Sequence, residues 1–226
     1  MLKNCKNLGN FFCIKSFLYN FAANSEQMKE QILEKATEMF LTLGFKSVTM
    51  DDIAAELGIS KKTIYQHYAT KPDLVKNVTL HLFETISCGI DQICAVGKNP
   101  IEELFTIKNF VLEHLKNEAA SPFYQLNKYY PKIYQTLKKK QFGKMSECVL
   151  DNLKRGINEG LFRKEINPEI IGRFYFAGMN SLKDEELFPK KDFNTIELQE
   201  QYLEYHLRGI CTTKGLKIVE HLIHNN

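Results

Sequence analysis

At 226 residues, with 44% apolar and 25% charged side chains, the chain is long enough for one large or two modest domains with a full core. Thirty Lys and Arg against 27 Asp and Glu leave a formal charge of only +3, which excludes a protein that binds polyanions through bulk charge. No apolar run reaches the roughly twenty residues of a bilayer span, so no membrane partner is expected.

Six cysteines stand at positions 5, 13, 88, 94, 148 and 211, none in a C-x-x-C pair and none near a histidine at zinc spacing. They read as reduced, mostly buried thiols of a cytoplasmic protein, with no metal and no cofactor.

Residues 1–24 have the outline of a signal peptide, Lys3 and Lys6 before Phe11-Phe12-Cys13-Ile14 and Phe17-Leu18-Tyr19. Lys15 and Asn20 interrupt it, and no apolar region of about 7–15 residues results. Met28 lies just before the first amphipathic pattern, so a native start there is expected, with residues 1–24 an upstream extension. The alternative is an arm that packs on the domain or touches DNA.

The first helix spans about 26–43, with Met28, Ile32, Leu33, Ala36, Met39, Phe40 and Leu43 at three- and four-residue spacing and Gly44 as its stop. Thr49 then fits an N-cap, with Asp52 at the third helical position completing a capping box. Ile53, Ala54 and Leu57 form the apolar stripe of that short helix, which Gly58 ends. Ser60 caps the next. There Ile64 and Tyr68, four apart, can pack inward, which leaves Lys61, Lys62, Thr63, Tyr65, Gln66 and His67 outward with no carboxylate among them. Such donors and acceptors suit phosphates and base edges. Two short helices, a Gly-containing turn and a basic second helix make a helix-turn-helix. The plainer alternative is a solvated helical hairpin. His67 lacks an acidic or cysteine partner at ligand spacing, so DNA contact fits it better than metal.

Thr70, Pro72 and Asp73 open a long helix over about 72–94, ~30 Å at 1.5 Å per residue. Helices follow over about 100–116, 122–129, 131–158, 168–182 and 195–210, with a charged loop at 183–194 and a tail at 214–223. No segment alternates as a strand does, so the fold class is all-α. The body is rich in aromatics. These serve either core and subunit packing or a cavity; Phe105, Tyr124, Tyr134 and Phe174 are the candidate lining for a small apolar or aromatic effector. No nucleophile elbow, P-loop, dinucleotide fingerprint or acid–base pair is present, so no catalytic residue is expected.

The run Ile32-Leu33-Glu34-Lys35-Ala36, Phe40, Gly44-Phe45 and Val48 through Ala54, continued by Gly58 through Leu74, resembles the DNA-binding domain of the TetR (tetracycline-repressor) family. The similarity covers about fifty residues without a gap, and Ile64-Tyr65-x-His67-Tyr68-x-x-Lys71-x-x-Leu74 is its most specific part. Lys62 stands where the family often has Gly, and Tyr68 where Phe is commoner. The resemblance implies a DNA-binding domain at 25–71 and a regulatory and dimerisation domain at 72–226. It places Thr49, Ser60, Lys61, Lys62, Thr63, Tyr65, His67 and Lys71 at positions that meet operator DNA; Gln66 and Tyr68 complete the expected set.

It further implies a homodimer whose helices 168–182 and 195–210 pair as a four-helix bundle. Phe174, Ala177, Gly178 and Ser181 would supply one face, and Leu198, Tyr202, Tyr205 and Ile210 the other. The expected function is a repressor of a palindromic operator, released by an effector in the body. A ligand-insensitive DNA-binding protein or an activator of the same fold is the alternative within that class, and an enzyme with a catalytic helical body the alternative outside it.

Overall fold

The computed structural model describes residues 8–115 and 122–224, and among these the chain forms ten helices and no strand. They are α1 (Leu8–Leu43), α2 (Met50–Leu57), α3 (Lys61–His67), α4 (Lys71–Ala95), α5 (Pro100–Leu115), α6 (Pro122–Tyr129), α7 (Pro131–Asn158), α8 (Pro168–Ser181), α9 (Thr195–Ile210) and α10 (Thr213–His224). Two elements differ from the sequence expectation. Segment 8–24, read as an extension, is continuous helix with α1. The tail is the helix α10, because Val219 is fully buried on the body and gives the segment a face to pack.

Helix ends in the head follow local capping chemistry. The Thr49 hydroxyl accepts from the Asp52 N–H (3.2 Å), while the Asp52 carboxylate accepts from the Thr49 N–H (2.7 Å) and hydroxyl (2.8 Å). Those bonds, the Thr49 backbone first, hold the Asp52 carboxyl below the usual carboxylate range. Gly58, at φ +65°, closes α2 with its N–H on the Ala54 and Ala55 carbonyls. The Ser60 hydroxyl then accepts from the Thr63 N–H at 3.1 Å, and Thr70 from Asp73 at 3.2 Å.

Two apolar clusters organise the packing. The first joins Ile32, Ala36 and Phe40 of α1 to Ile53, Ile64, Tyr68, Leu74, Val75 and Val78, and continues into Leu126 of α6 and Leu137 of α7. The head core therefore does not stop at residue 71. The second gathers Ile101, Leu104 and Phe105 of α5, Leu153 of α7, Tyr175 of α8, Leu203 and Leu207 of α9, and Val219 of α10.

A polar knot is buried in the body. Arg155 Nη2 donates to both oxygens of Glu103, at 2.5 and 2.6 Å, and Asn152 Nδ2 donates to Glu103 (2.8 Å) and to the Pro100 carbonyl (2.9 Å). Only such pairing makes a carboxylate that is 1% exposed tolerable.

Helices α8 and α9 meet through Gly178 and Tyr202. A Cβ at 178 would stand 2.2 Å from the Tyr202 hydroxyl oxygen, whose proton goes to the Phe174 and Tyr175 carbonyls (3.0 and 3.1 Å). Gly178, Tyr202 and the buried Ile210, expected on a subunit face, thus serve packing within the chain. Among the thiols, burial pushes Cys94 up to about 11 and Cys211 up to about 12, while Cys88 is exposed. The expectation of mostly buried thiols holds for Cys211 and not for Cys88, while Cys94 and Cys148 are half-buried.

Candidate nucleic-acid interface and effector cavity

Helix α3 is anchored by Ile64 (0% exposed) and Tyr68 (2%), which turns Lys61, Lys62, Tyr65 and Gln66 to solvent, with Thr63 and His67 half-buried beside them. Ser60 and Thr49 are exposed at the helix starts, but the Thr49 hydroxyl and N–H are both engaged by Asp52. Tyr68 is a correction. Its hydroxyl donates to the Lys29 carbonyl at 3.2 Å and burial pushes its pKa up to about 12, so it supports the helix rather than meeting DNA.

Charge on this face is more mixed than the sequence of α3 indicates. Asp51 reaches over from α2 to accept from Lys61 at 2.6 Å. Lys62 is exposed, and no carboxylate pairs with it among the described residues. Lys71 donates to the Lys46 carbonyl at 3.4 Å, which brings the exposed Lys46 to the same edge. Lys46 was missed in the sequence because its neighbour lies 25 positions away.

In the body, helices α4 to α9 and the end of α1 line a cavity of about 210 Å³. Its walls include Phe40, Val78, Leu82, Phe83, Ile86, Phe123, Met145, Tyr175, Phe176 and Met179. None of the four expected lining residues belongs to it. Phe105 is buried in the second core, Tyr134 packs against the head core, and Phe174 is 65% exposed. Tyr124 borders a separate surface groove with Phe193 and Ile196. Helix geometry explains the miss: Phe174 and Phe176 lie about 200° apart around α8, so only one of them can face inward.

Polar groups punctuate the apolar wall. Lys108, whose side chain is 7% exposed, donates to Glu200 of α9 at 3.2 Å. Lys144, paired with Asp91, and Lys183 also line the cavity. Asn152 Oδ1 is buried with no hydrogen-bond partner, and its amide cannot be flipped, because Nδ2 already donates to two acceptors. The sequence held a signal for both: Lys108 lies between Leu104 and Val111, and Asn152 between Val149 and Leu153, each a polar residue in an apolar stripe.

Helix α6 joins this cavity to the head. Pro122, Phe123 and Leu126 face the cavity, while Gln125 Oε1 accepts from the Lys46 N–H at 3.0 Å. The Gln125 amide also lies against Gly44, at φ +87°, where an added Cβ would stand 2.3 Å from Nε2. Phe40 and Phe45 of the head, rings 5.1 Å apart, line the cavity themselves.

A capped helix-turn-helix presented by a larger helical body defines a DNA-binding regulator. Residues 32–78 match the profile of the bacterial regulatory proteins, tetR family. Along most of its length the chain is similar to the HTH-type transcriptional repressor KstR2 of Mycolicibacterium smegmatis, at 24% identity over 84% of this chain and 93% of that protein. It is likewise similar to the uncharacterized HTH-type regulator YvaF of Bacillus subtilis, at 27% identity over 81% and 95%. A TetR-family regulator from Agrobacterium tumefaciens has the same fold, with TM-score 0.68 and 16% identity over 83% of this chain and 100% of that one. So does KstR2 of Mycobacterium tuberculosis, with TM-score 0.54 and 21% identity over 82% and 95%. Over residues 32–78 the chain carries the DNA-binding domain of the TetR family, and the named relatives along its length are transcription regulators, a class without enzymatic activity.

Proposed function

We propose that the chain is a cytoplasmic homodimeric repressor that holds a palindromic operator and is released from it by a small molecule bound in the body. The observation that carries this reading is α6, which touches the cavity through Phe123 and Leu126 and the head loop through Gln125. A molecule in the cavity pushes on the same helix that props Gly44 and Lys46.

Each α3 enters a major groove. Lys62, Lys61 and Lys71 take phosphates, and Thr63, Tyr65, Gln66 and His67 are the base-edge set. Dimerisation runs through 168–182 and 195–210, where Ile170, Phe174 and Tyr205 leave apolar surface exposed, Tyr205 at 78%. Two-fold pairing sets the heads on half-sites ~34–36 Å apart or a longer helical multiple. Release needs only that the ligand prefer a state with mismatched heads; a swing from 1:99 to 99:1 requires ~5.5 kcal/mol of differential affinity.

Selecting random duplexes on the purified protein, then challenging the enriched sequence with a metabolite extract, tests the whole reading. A palindrome is expected to emerge and the extract to release it, while Gln125→Ala is expected to keep binding and lose the release. No enriched sequence, or a monomer at micromolar concentration, refutes it; a palindrome indifferent to every extract leaves the ligand-insensitive alternative.

A further inference from the structure

We infer that the molecule accepted by the body is a small amphiphilic carboxylic acid of about eight to ten non-hydrogen atoms in all, its carboxylate received by Lys108. This rests on the effector reading above and gives it a chemical class.

Size comes first. A dry cavity of about 150 Å³ holds one benzene, so 210 Å³ suits a molecule roughly half as large again. Charge gives the sign. Four charged side chains line the cavity: Glu103, Lys108, Lys144 and Lys183. Glu103 is occupied by both contacts of Arg155 and by Asn152, so no carboxylate is left to receive a cationic ligand.

Lys108 is the receiving group because it is the more buried of the two lysines that line the cavity in ion pairs with Glu200 and Asp91, 7% exposed against 23% for Lys144. The Lys108 side chain is 7% exposed and Glu200 is 54% exposed. Glu200 can therefore turn into water at little cost, whereas the buried ammonium must keep an anion beside it. Only one of its three donors has a partner on Glu200. An arriving carboxylate takes Lys108 and Glu200 is discharged to solvent. That exchange opens a link between α5 and α9, and α9 is one of the two helices assigned to the dimer.

Octanoate and its neutral isostere octanamide test this by calorimetry on the full-length, DNA-free protein. Octanoate is expected to bind at least about tenfold tighter than octanamide. Lys108→Met should equalise the two; it strands no buried charge, since Glu200 is already half in water. Glu200→Gln should tighten octanoate several-fold and leave octanamide unchanged, which keeps the test alive if the Lys108 variant does not fold. Equal binding of the two probes, no binding of either, or a preference that survives Lys108→Met overturns the inference. The effector reading has a separate readout, release of the selected operator by extract, and that release persists if only the anionic class is wrong.

Discussion

Tyr65 and Tyr68 stand three positions apart, in α3 and at its C-terminal cap, and removing the hydroxyl from each has opposite consequences. In Tyr68→Phe the ring stays in a site that is 2% exposed, so packing is kept and only the bond to the Lys29 carbonyl (3.2 Å) is lost. One such neutral bond is worth about 0.5–1.5 kcal/mol net, and its length puts it at the lower end. In a chain of this size that corresponds to a melting shift of about 2–4 °C per kcal/mol. Operator affinity per folded dimer should not change. Tyr65→Phe is the mirror case. The residue is 43% exposed, so stability should stay within about 0.5 kcal/mol, while affinity for the selected operator falls more than affinity for random DNA. Thermal melts at fixed protomer concentration and fluorescence anisotropy on both duplexes read the pair. If Tyr68→Phe weakened operator binding while the melting temperature held, the inward orientation of α3 deduced from Ile64 and Tyr68 would be wrong.

Three further outcomes are expected. Phe40→Ala should cost about 3–5 kcal/mol in urea unfolding, toward the upper end, because the residue borders a cavity that gives the walls nothing to collapse onto; a cost under about 2 kcal/mol would contradict its place in the shared core. Lys62→Ala should lower the slope of log K against log salt by about 0.9 per head, close to 2 for a dimer, and Asp51→Asn should tighten operator binding by releasing Lys61. An unchanged slope removes Lys62 from the phosphate contacts, and weaker binding by Asp51→Asn removes Lys61.

The third concerns His206, whose ring packs on Tyr175 at 4.8 Å and is pushed down by burial to about 4 from an ordinary 6.5. The unfolded chain takes up that proton near pH 6.5 and the folded chain refuses it until about pH 4. Stability is therefore full above pH 6.5 and declines as pH falls toward 4, by about 2 kcal/mol between pH 7.5 and 5. Urea midpoints at those two pH values should show the loss in the wild type and a smaller one in His206→Phe; equal losses would remove His206 as the cause.

The sequence by itself determined where helices in the head begin and end, because Thr49 with Asp52, Gly58, Ser60 and Thr70 act on groups within three or four positions of themselves. Asn167 and Asn194 cap α8 and α9 in the same way. The outward set of α3 was legible for the same reason, since helical spacing assigns sides once one buried pair is known. Tertiary structure decided what crosses between elements: Asp51 on Lys61, ten positions away, Gln125 on Lys46, 79 away, and Lys108 on Glu200, 92 away. The cavity was the least legible feature. A void is what remains where stripes from several helices fail to meet, so it belongs to their mutual packing and to no single stretch of chain.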